Sequence, residues 1–182
     1  MALKSTVYKA ELQIADMDRS YYGDHALTLA RHPSETDERM MVRLLAFALY
    51  ADPALTFGNG LCVDDEPDLW QRDLTGAIQR WIYVGQPDEK WIRKACGRSD
   101  HVVVVCFGRA AGIWWDGIKS KLLRQQSLTV IRLAPELAPA LARLTDRTMR
   151  LQFTLQDGHV WATNGLETVD VAPELLMGPP RY

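Results

Sequence analysis

The sequence predicts an α/β fold in which a mixed central sheet is flanked by helices and extended by an added antiparallel strand and hairpin. One observation is the β-branched run HVVVVCF at residues 101–107, which is typical of a strand buried on both faces. Another is the alternation of strand-like and helix-like segments around it, which indicates at least one parallel strand pair. A third is Asp157 followed by Gly158 between two alternating runs, which predicts a hairpin because both residues tolerate the positive φ angles of a type I′ turn.

The composition limits the class of protein. The chain has 182 residues, 47% hydrophobic and 24% charged, which predicts one domain over residues 1–182. No apolar run approaches the roughly 20 residues that cross a bilayer, and the N-terminus lacks an apolar export signal, so we expect a cytoplasmic protein without membrane contact. The net charge of −2 disfavours nucleic-acid binding by the surface as a whole, so such binding would need a local basic surface or a bridging metal.

The first third of the chain contains one clear strand and one clear helix. Residues 6–18 alternate as a strand with one wet face does, whereas residues 21–30 are mixed and predict no defined element. The segment PSETDE at 33–38 predicts a helix start with Ser34 as the N-cap, followed by a buried stripe as far as Tyr50. Capping and the helix dipole are sufficient to explain Glu35 and Glu38 in the first turn.

The remaining elements follow from runs, breakers and helix-start signals. Residues 55–63 predict a strand interrupted by Gly-Asn-Gly, and Pro67 then opens a short helical turn through residues 70–72. Further along the chain we expect a strand at 77–84, a helix from 87, the central strand at 101–107, a helix at 109–124, a strand at 127–133 and a helix at 134–146. The hairpin strands at 149–156 and 159–163 should pair with the N-terminal strand, and residues 173–182 should form a loose tail.

Motifs for nucleotide loops, dinucleotide folds, serine hydrolases and zinc proteases are absent from the sequence, which disfavours those enzyme classes. What remains is an acidic cluster after residue 63, together with the carboxylates of the helix start at 34–38. Carboxylates that converge on one point bind Mg²⁺ or Mn²⁺, and a nearby lysine can position the water that attacks a phosphodiester. Alternatively, the acids serve only the fold, as caps and as partners of Arg39, Arg43 and Arg109.

Arg109 is a separate candidate for ligand binding. It follows the central strand, and α/β proteins commonly bind ligands at the carboxyl ends of their strands. A surface arginine that caps a helix or pairs with an acid explains the residue equally well.

Five segments resemble the YaeQ family: HPSETDERMMVRLLAFAL (32–49), LCVDDEPDLW (61–70), RWIYVGQPDEKWIRKACGR (80–98), GRAAGIWW (108–115) and DRTMRLQFTLQDGHVW (146–161). The resemblance covers nearly the whole chain in the same order. It implies a fold similar to the restriction-endonuclease-like PD-(D/E)XK superfamily, in which a helix glutamate, a strand aspartate and an acid-x-Lys motif on the next strand surround a divalent metal. The resemblance implies no defined biochemical activity, although it does imply a role connected with transcription elongation.

Carried over residue by residue, the nuclease pattern gives a candidate metal site. Glu38 takes the position of the helix glutamate and Asp64 or Asp65 that of the strand aspartate, with Mg²⁺ or Mn²⁺ between them. We interpret the literal Pro67 and Asp68 pair as a coincidence, since it lies past the end of the predicted strand.

The following strand departs from the family pattern. Tyr83 stands where an acid is expected, and Gly85 stands where the lysine is expected, so Gln86, Lys90 or Lys94 would have to replace that lysine. A tyrosine with a pKa of about 10 is a poor ligand for a hard cation at neutral pH. We therefore expect a nuclease-like protein with a degenerate metal site that hydrolyses or only binds nucleic acid. The alternative is a non-enzymatic regulator or adaptor that binds a protein partner.

Overall fold

The computed structural model describes residues 4–59 and 65–181, which form two β-sheets and four helices. In chain order the elements are β1 (Thr6–Asp16), β2 (Tyr21–Arg31), α1 (Asp37–Leu49), β3 (Leu55–Phe57), β4 (Leu69–Arg72), β5 (Ile78–Val84), α2 (Glu89–Cys96), β6 (Ser99–Cys106), α3 (Ala111–Leu122), β7 (Leu128–Arg132), α4 (Leu137–Ala142), β8 (Thr148–Gln156), β9 (His159–Thr163), β10 (Thr168–Val171) and β11 (Glu174–Met177). Sheet A has the strand order β10-β9-β8-β1-β2, and sheet B has the order β11-β7-β6-β5-β4-β3.

Helix α1 lies between the two sheets. Every residue from Met40 to Leu49 is buried, as in a helix with packing partners on all sides. A single apolar core joins α1 and α4 to the inner face of sheet A and to one face of sheet B. The other face of sheet B packs against α2 and α3 in a second cluster. The layers are therefore sheet A, then α1 with α4, then sheet B, then α2 with α3.

The predicted α/β class is confirmed, and two of the observations behind it hold in detail. Strand β6 lies inside sheet B, and Val102 to Cys106 are buried completely. The β8–β9 turn has positive φ angles at both Asp157 (53°) and Gly158 (77°). The arrangement of the sheets differs from the prediction: β1 and the hairpin belong to a separate sheet, and β1 pairs with β8 in parallel and with β2 in antiparallel orientation.

Two predictions were wrong: residues 21–31 form a strand, β2, and residues 69–72 form a strand, β4. The interior-facing side of β2 includes Gly23 and His25, so the sequence shows too little apolar alternation to mark a strand. Residues 69–72 form β4 rather than a helical turn, because Trp70 pairs directly with Trp81 of β5. The strand predicted at 55–63 ends at Phe57, and its last residues lie outside the described part of the chain.

The cap of α1 lies two residues further along than predicted. The Thr36 hydroxyl accepts a hydrogen bond from the Arg39 N–H at 3.1 Å, whereas Ser34 hydrogen-bonds the ring of His32. Asp37 is therefore the first helical residue. Among the helices of residues 4–59 and 65–181, none is long and apolar enough to cross a membrane.

The segment expected to be a loose tail is ordered by pairing and by charge. Strand β11 pairs antiparallel with β7. Beyond it, the Arg181 guanidinium donates to Asp16, to Asp18 at 3.2 Å and to the Leu49 carbonyl at 3.0 Å. Asp16 is fully buried and also accepts from Arg19 at 2.7 Å. These contacts attach the C-terminal segment to sheet A and to the end of α1.

Arg181→Met should destabilise the protein in a pH-dependent way. Burial raises the pKa of Asp16, but hydrogen bonds from Arg181 and Arg19 outweigh it and hold the pKa below its usual value. Because the folded-state pKa is the lower one, Asp16 stabilises the fold at neutral pH, and this contribution disappears as the pH falls below about 4. We expect a loss of about 3 kcal/mol at pH 7, near the lower end for a broken buried pair, and a smaller loss at acid pH.

Urea denaturation at the two pH values measures this effect. Arg150→Met is the control, because the Arg150 ion pair with Glu11 is exposed and should contribute less than about 1 kcal/mol. An equal loss for Arg181→Met at both pH values would contradict the assignment of the effect to Asp16.

Candidate functional site

Asp68 directly precedes β4 and lies beside the carboxyl end of β5. Its N–H donates to the Ile82 carbonyl at 2.9 Å, and its carboxylate accepts from the Val84 N–H at 2.7 Å. The carboxylate is thus fixed at the carboxyl end of β5, where the parallel strands of sheet B end and where α/β proteins commonly bind ligands. Pro67 and Asp68 lie past the end of β3 and directly precede β4, and the interpretation of the pair as a coincidence stays a prediction.

Gly58 holds this aspartate in place from the end of β3. Its N–H donates to the Asp68 carbonyl at 2.9 Å. A Cβ at position 58 would approach the Pro67 carbonyl oxygen to 2.1 Å, so no larger residue fits without moving the backbone. The tight contact between the two chain segments fixes where the Asp68 side chain points.

A guanidinium group fills the space between Asp68 and the start of α1. Arg39 donates to Asp68 at 2.5 Å, to Glu35 at 2.9 Å and to the Val84 carbonyl at 3.1 Å. The Glu35 side chain is only 2% exposed and accepts two more hydrogen bonds, at 2.7 and 2.8 Å, from Arg43. We call Glu35, Arg39, Arg43 and Asp68 the arginine–carboxylate network, in which two carboxylates and two guanidiniums balance in charge.

The predicted metal ligands lie apart from this network. Asp65 is exposed, and its carboxylate binds Lys94 at 2.9 Å and Arg98 at 2.8 Å, which hold its pKa below the usual value. Glu38 is half-buried on α1 and makes no hydrogen bond or ion pair with another described residue. Asp64 lies outside the described residues. Within residues 4–59 and 65–181, no group of three or more His, Cys, Asp or Glu side chains could hold a metal ion.

Tyr83 does not supply the missing negative charge. Burial raises its pKa to about 12, so the hydroxyl stays protonated at neutral pH, and it donates to the Trp91 carbonyl at 3.4 Å. Two cations already occupy the Asp65 carboxylate and Tyr83 is neutral, so these residues fit a divalent cation poorly.

The three candidates for the missing lysine each have another contact. The Gln86 amide donates to the Phe107 carbonyl at 2.5 Å. The ammonium groups of Lys90 and Lys94 each lie 5.2 Å from the centre of the Trp91 ring. Their predicted role in catalysis stays a prediction.

Arg109 lies at the carboxyl end of β6, as its position in the sequence predicts. With Arg132 and Glu174 it lines a cavity of about 320 Å³. Arg132 donates to Glu174 at 2.5 and 2.9 Å, whereas Arg109 is exposed and forms no ion pair with another described residue. Ligand binding by Arg109 stays a prediction.

Sequence reasoning missed a group of aromatic rings and cations on the α2 side of sheet B. The Arg72 guanidinium lies 3.6 Å from the centre of the Trp70 ring, and Trp70 meets Trp81 edge-on at 6.0 Å. Arg98 lies 5.1 Å from the centre of the Trp81 ring and shares Asp65 with Lys94. Together with α2, these contacts form one patch, the cation–aromatic surface, which consists of Trp70, Arg72, Trp81, Lys90, Trp91, Lys94 and Arg98.

The sequence does contain a signal for this surface. Residues two apart on a strand share a face, and so do residues three or four apart on a helix. Trp70 with Arg72 and Lys90 with Lys94 follow these spacings. The first pair was hidden because residues 70–72 were predicted to be helical.

Arg39→Met should destabilise the fold strongly. The substitution leaves Asp68 without a cationic partner and Glu35 with only one, in a site from which water is largely excluded. We expect the free energy of unfolding to fall by about 3 to 5 kcal/mol. Arg39→Lys should recover only part of this, because an ammonium cannot reproduce the planar fork that bridges two carboxylates.

Urea denaturation of the wild type, Arg39→Met and Arg93→Met measures this loss, with Arg93→Met as the control. Arg93 forms a more exposed i,i+4 pair with Glu89, which should contribute about 0.5 kcal/mol or less. If Arg39→Met costs no more than this control, the network does not hold α1 against β4 and β5.

Comparison with known sequences identifies relatives over almost the full length. A profile of the family described as "YaeQ protein" matches residues 1–173. The protein named "Uncharacterized protein YaeQ" of Escherichia coli (strain K12) is 47% identical over 172 residues, which are 94% of this chain and 95% of that protein. The protein of the same name from Salmonella typhi is 46% identical over the same shares of the two chains.

Solved structures agree with the sequence relatives. The crystal structure of YaeQ protein from Xanthomonas axonopodis pv. citri superposes with a TM-score of 0.93 at 51% identity, over 96% of this chain and 99% of the other. That of YaeQ protein from Pseudomonas syringae gives a TM-score of 0.93 at 32% identity, over 98% of both chains. A family profile, close sequence relatives and full-length structural matches lead to one conclusion: the chain belongs to the YaeQ family.

Proposed function

We propose that this YaeQ family protein binds single-stranded nucleic acid through the cation–aromatic surface, without metal-dependent hydrolysis. In this proposal, the scaffold is of the PD-(D/E)XK nuclease type, and the Arg39 guanidinium takes the position that a metal would hold. The observation that carries the proposal is the patch in which four cations lie against three tryptophan rings, of which Trp70 and Trp91 are partly exposed.

The order of elements supports a nuclease-like scaffold. Such a scaffold requires a helix glutamate, a strand aspartate and a third group on the following strand. Glu35 lies just before α1, Asp68 lies just before β4, and Tyr83 lies on β5, so the three groups occur in this order along the chain. Glu35 precedes α1 by two residues and Glu38 lies on the helix, but Glu35 fits the role of the helix glutamate better, because one guanidinium joins it to Asp68.

The resident guanidinium argues against metal-dependent catalysis. Arginine side chains are permanently charged donors, and Arg39 and Arg43 together already neutralise the two carboxylates that would face a metal. A divalent cation entering this position would have to displace Arg39 from a nearly buried site. Tyr83 adds no negative charge to compensate that displacement.

The cation–aromatic surface has the chemistry of a single-strand binder. Lysine and arginine side chains neutralise phosphates, and aromatic rings between them offer stacking surfaces for unpaired bases. Trp70 and Trp91 are half-buried, so part of each ring still faces solvent. This local basic surface allows phosphate binding by a chain whose net charge is −2.

The double substitution Lys90→Gln with Lys94→Gln should weaken binding of a fluorescein-labelled oligothymidylate. Loss of two phosphate contacts should reduce the slope of log affinity against log salt by about 1.4, since each contact on a single strand contributes about 0.7. Fluorescence anisotropy over a series of salt concentrations measures both quantities.

A matched double variant provides the control for this loss of charge. Arg143→Gln with Arg150→Gln removes two exposed cations from other parts of the fold. If the control weakens binding as much, or if the wild type does not bind the oligonucleotide, the proposed surface is wrong.

Calorimetric titration with Mg²⁺ and Mn²⁺ tests the metal prediction for Glu38, Asp64 and Asp65 separately. If Arg39 holds the cation position, the wild type should take up neither ion at millimolar concentration, and chelators should leave nucleic-acid binding unchanged. Binding by the wild type that is lost in Glu38→Gln and Asp65→Asn would contradict the proposal and establish the predicted metal site. Tyr83→Glu restores the acid that the family pattern carries, and it serves as the comparison variant.

A further inference from the structure

Strand β2 is an unusually long open edge. It forms one border of sheet A and has 11 residues, whereas the other border strands, β10, β3 and β11, have 4, 3 and 4 residues. A long strand with unpaired main-chain groups is a template for pairing with another strand. The three shorter border strands offer few free main-chain groups for such pairing, so β2 is the border strand best suited to it.

The pairing of β1 defines which groups of β2 face outward. The N–H groups of Lys9 and Met17 donate to carbonyls beside or on β8, so the odd-numbered residues of β1 bond to β8 and the even-numbered ones bond to β2. The even-numbered residues of β1 pair with odd-numbered residues of β2, such as Leu12 with His25. The even-numbered residues of β2 therefore direct their N–H and C=O groups away from the sheet.

Five residues of β2 carry these outward groups: Tyr22, Asp24, Ala26, Thr28 and Ala30. The Ala30 carbonyl accepts a hydrogen bond from Arg43 at 3.2 Å, as this geometry requires. For the other four, no described residue pairs with the outward main-chain groups. Their side chains are also exposed, so the outer face of the strand is uncovered there.

The edge lacks the usual protection against pairing. Natural edges carry lysine, proline or a bulge that prevents a second strand from joining. Strand β2 contains no lysine and no proline, and its ladder with β1 runs through 11 consecutive pairs without a register shift. Asp24 is the sole charged residue among the five that face outward.

We propose that β2 pairs with β2 of a second copy of this chain, in antiparallel orientation about a two-fold axis at Ala26. This register joins two five-stranded sheets into one continuous sheet of ten strands. It places Asp24 of each copy opposite Thr28 of the other, and Tyr22 opposite Ala30. A second copy is favoured over a foreign strand because the edge complements itself: no two like charges and no two large side chains meet, and the Thr28 hydroxyl can donate to the Asp24 carboxylate.

Sedimentation velocity across a range of protein concentrations tests the proposal. The wild type should sediment increasingly as a dimer. Ala26→Lys and Ala26→Glu each bring two like charges together at the axis, and each should raise the dissociation constant at least tenfold. An equimolar mixture of the two variants should associate again, because lysine then faces glutamate. Gln152→Lys is the control, since it places the same charge on the exposed face of β8, which β1 separates from the edge.

Amide exchange measured by NMR identifies the contact directly. The N–H groups of Asp24, Ala26 and Thr28 should gain protection as the concentration rises, whereas those of His25 and Leu27 are already protected by β1. A wild type that stays monomeric overturns the proposal and leaves the edge to a strand of a different protein. A dimer that persists equally in both Ala26 variants also overturns it. Neither outcome affects the proposed binding of nucleic acid, which uses the opposite side of the fold.

Discussion

The balance of charge around Arg39 is the interaction on which the rest of the structure depends. Two carboxylates, Glu35 and Asp68, are withdrawn from water at the point where α1 meets sheet B. A carboxylate in such a place is tolerable only with a cationic partner and satisfied lone pairs. Arg43 supplies two of the hydrogen bonds to Glu35, and Arg39 is the one cation of the described residues that contacts both acids. Because Asp68 also binds the Val84 N–H, the same guanidinium determines how α1 sits against β4 and β5.

A second set of arginines acts at the other end of α1. The last turn of this helix contains no basic residue, although cations near a helix C-terminus are favourable. Arg181 donates to the Leu49 carbonyl and Arg19 to the Ala51 carbonyl at 3.2 Å, so both supply the missing positive charge from outside the helix. Both also neutralise Asp16, which is buried at the end of β1. The central helix is therefore fixed at both ends by arginines that bind buried acids.

Local patterns in the sequence predicted the elements whose environment is uniform. The β-branched run of β6, the buried stripe of α1 and the Asp-Gly turn each follow from a few neighbouring residues. The site could not be predicted in this way. Asp65 and Asp68 stand three positions apart in one acidic cluster, and only the partner of Asp68, 29 residues upstream at Arg39, distinguishes the buried acid from the exposed one. A pairing over that distance has no signature in a short stretch of sequence.

The parallel pairing of β1 with β8 has a consequence for the order of assembly. Gln13 and Gln152, which hydrogen-bond across these strands, are 139 residues apart in the chain. Contacts of such large separation form slowly, because the loop between them must be closed before any pairing energy is gained. During synthesis, β1 and β2 have no third strand of sheet A to pair with until β8 is made, which lies in the last fifth of the chain. The apolar face of β1, which is formed by Tyr8, Ala10, Leu12 and Ile14, therefore lacks the rest of its sheet during most of the synthesis of the chain.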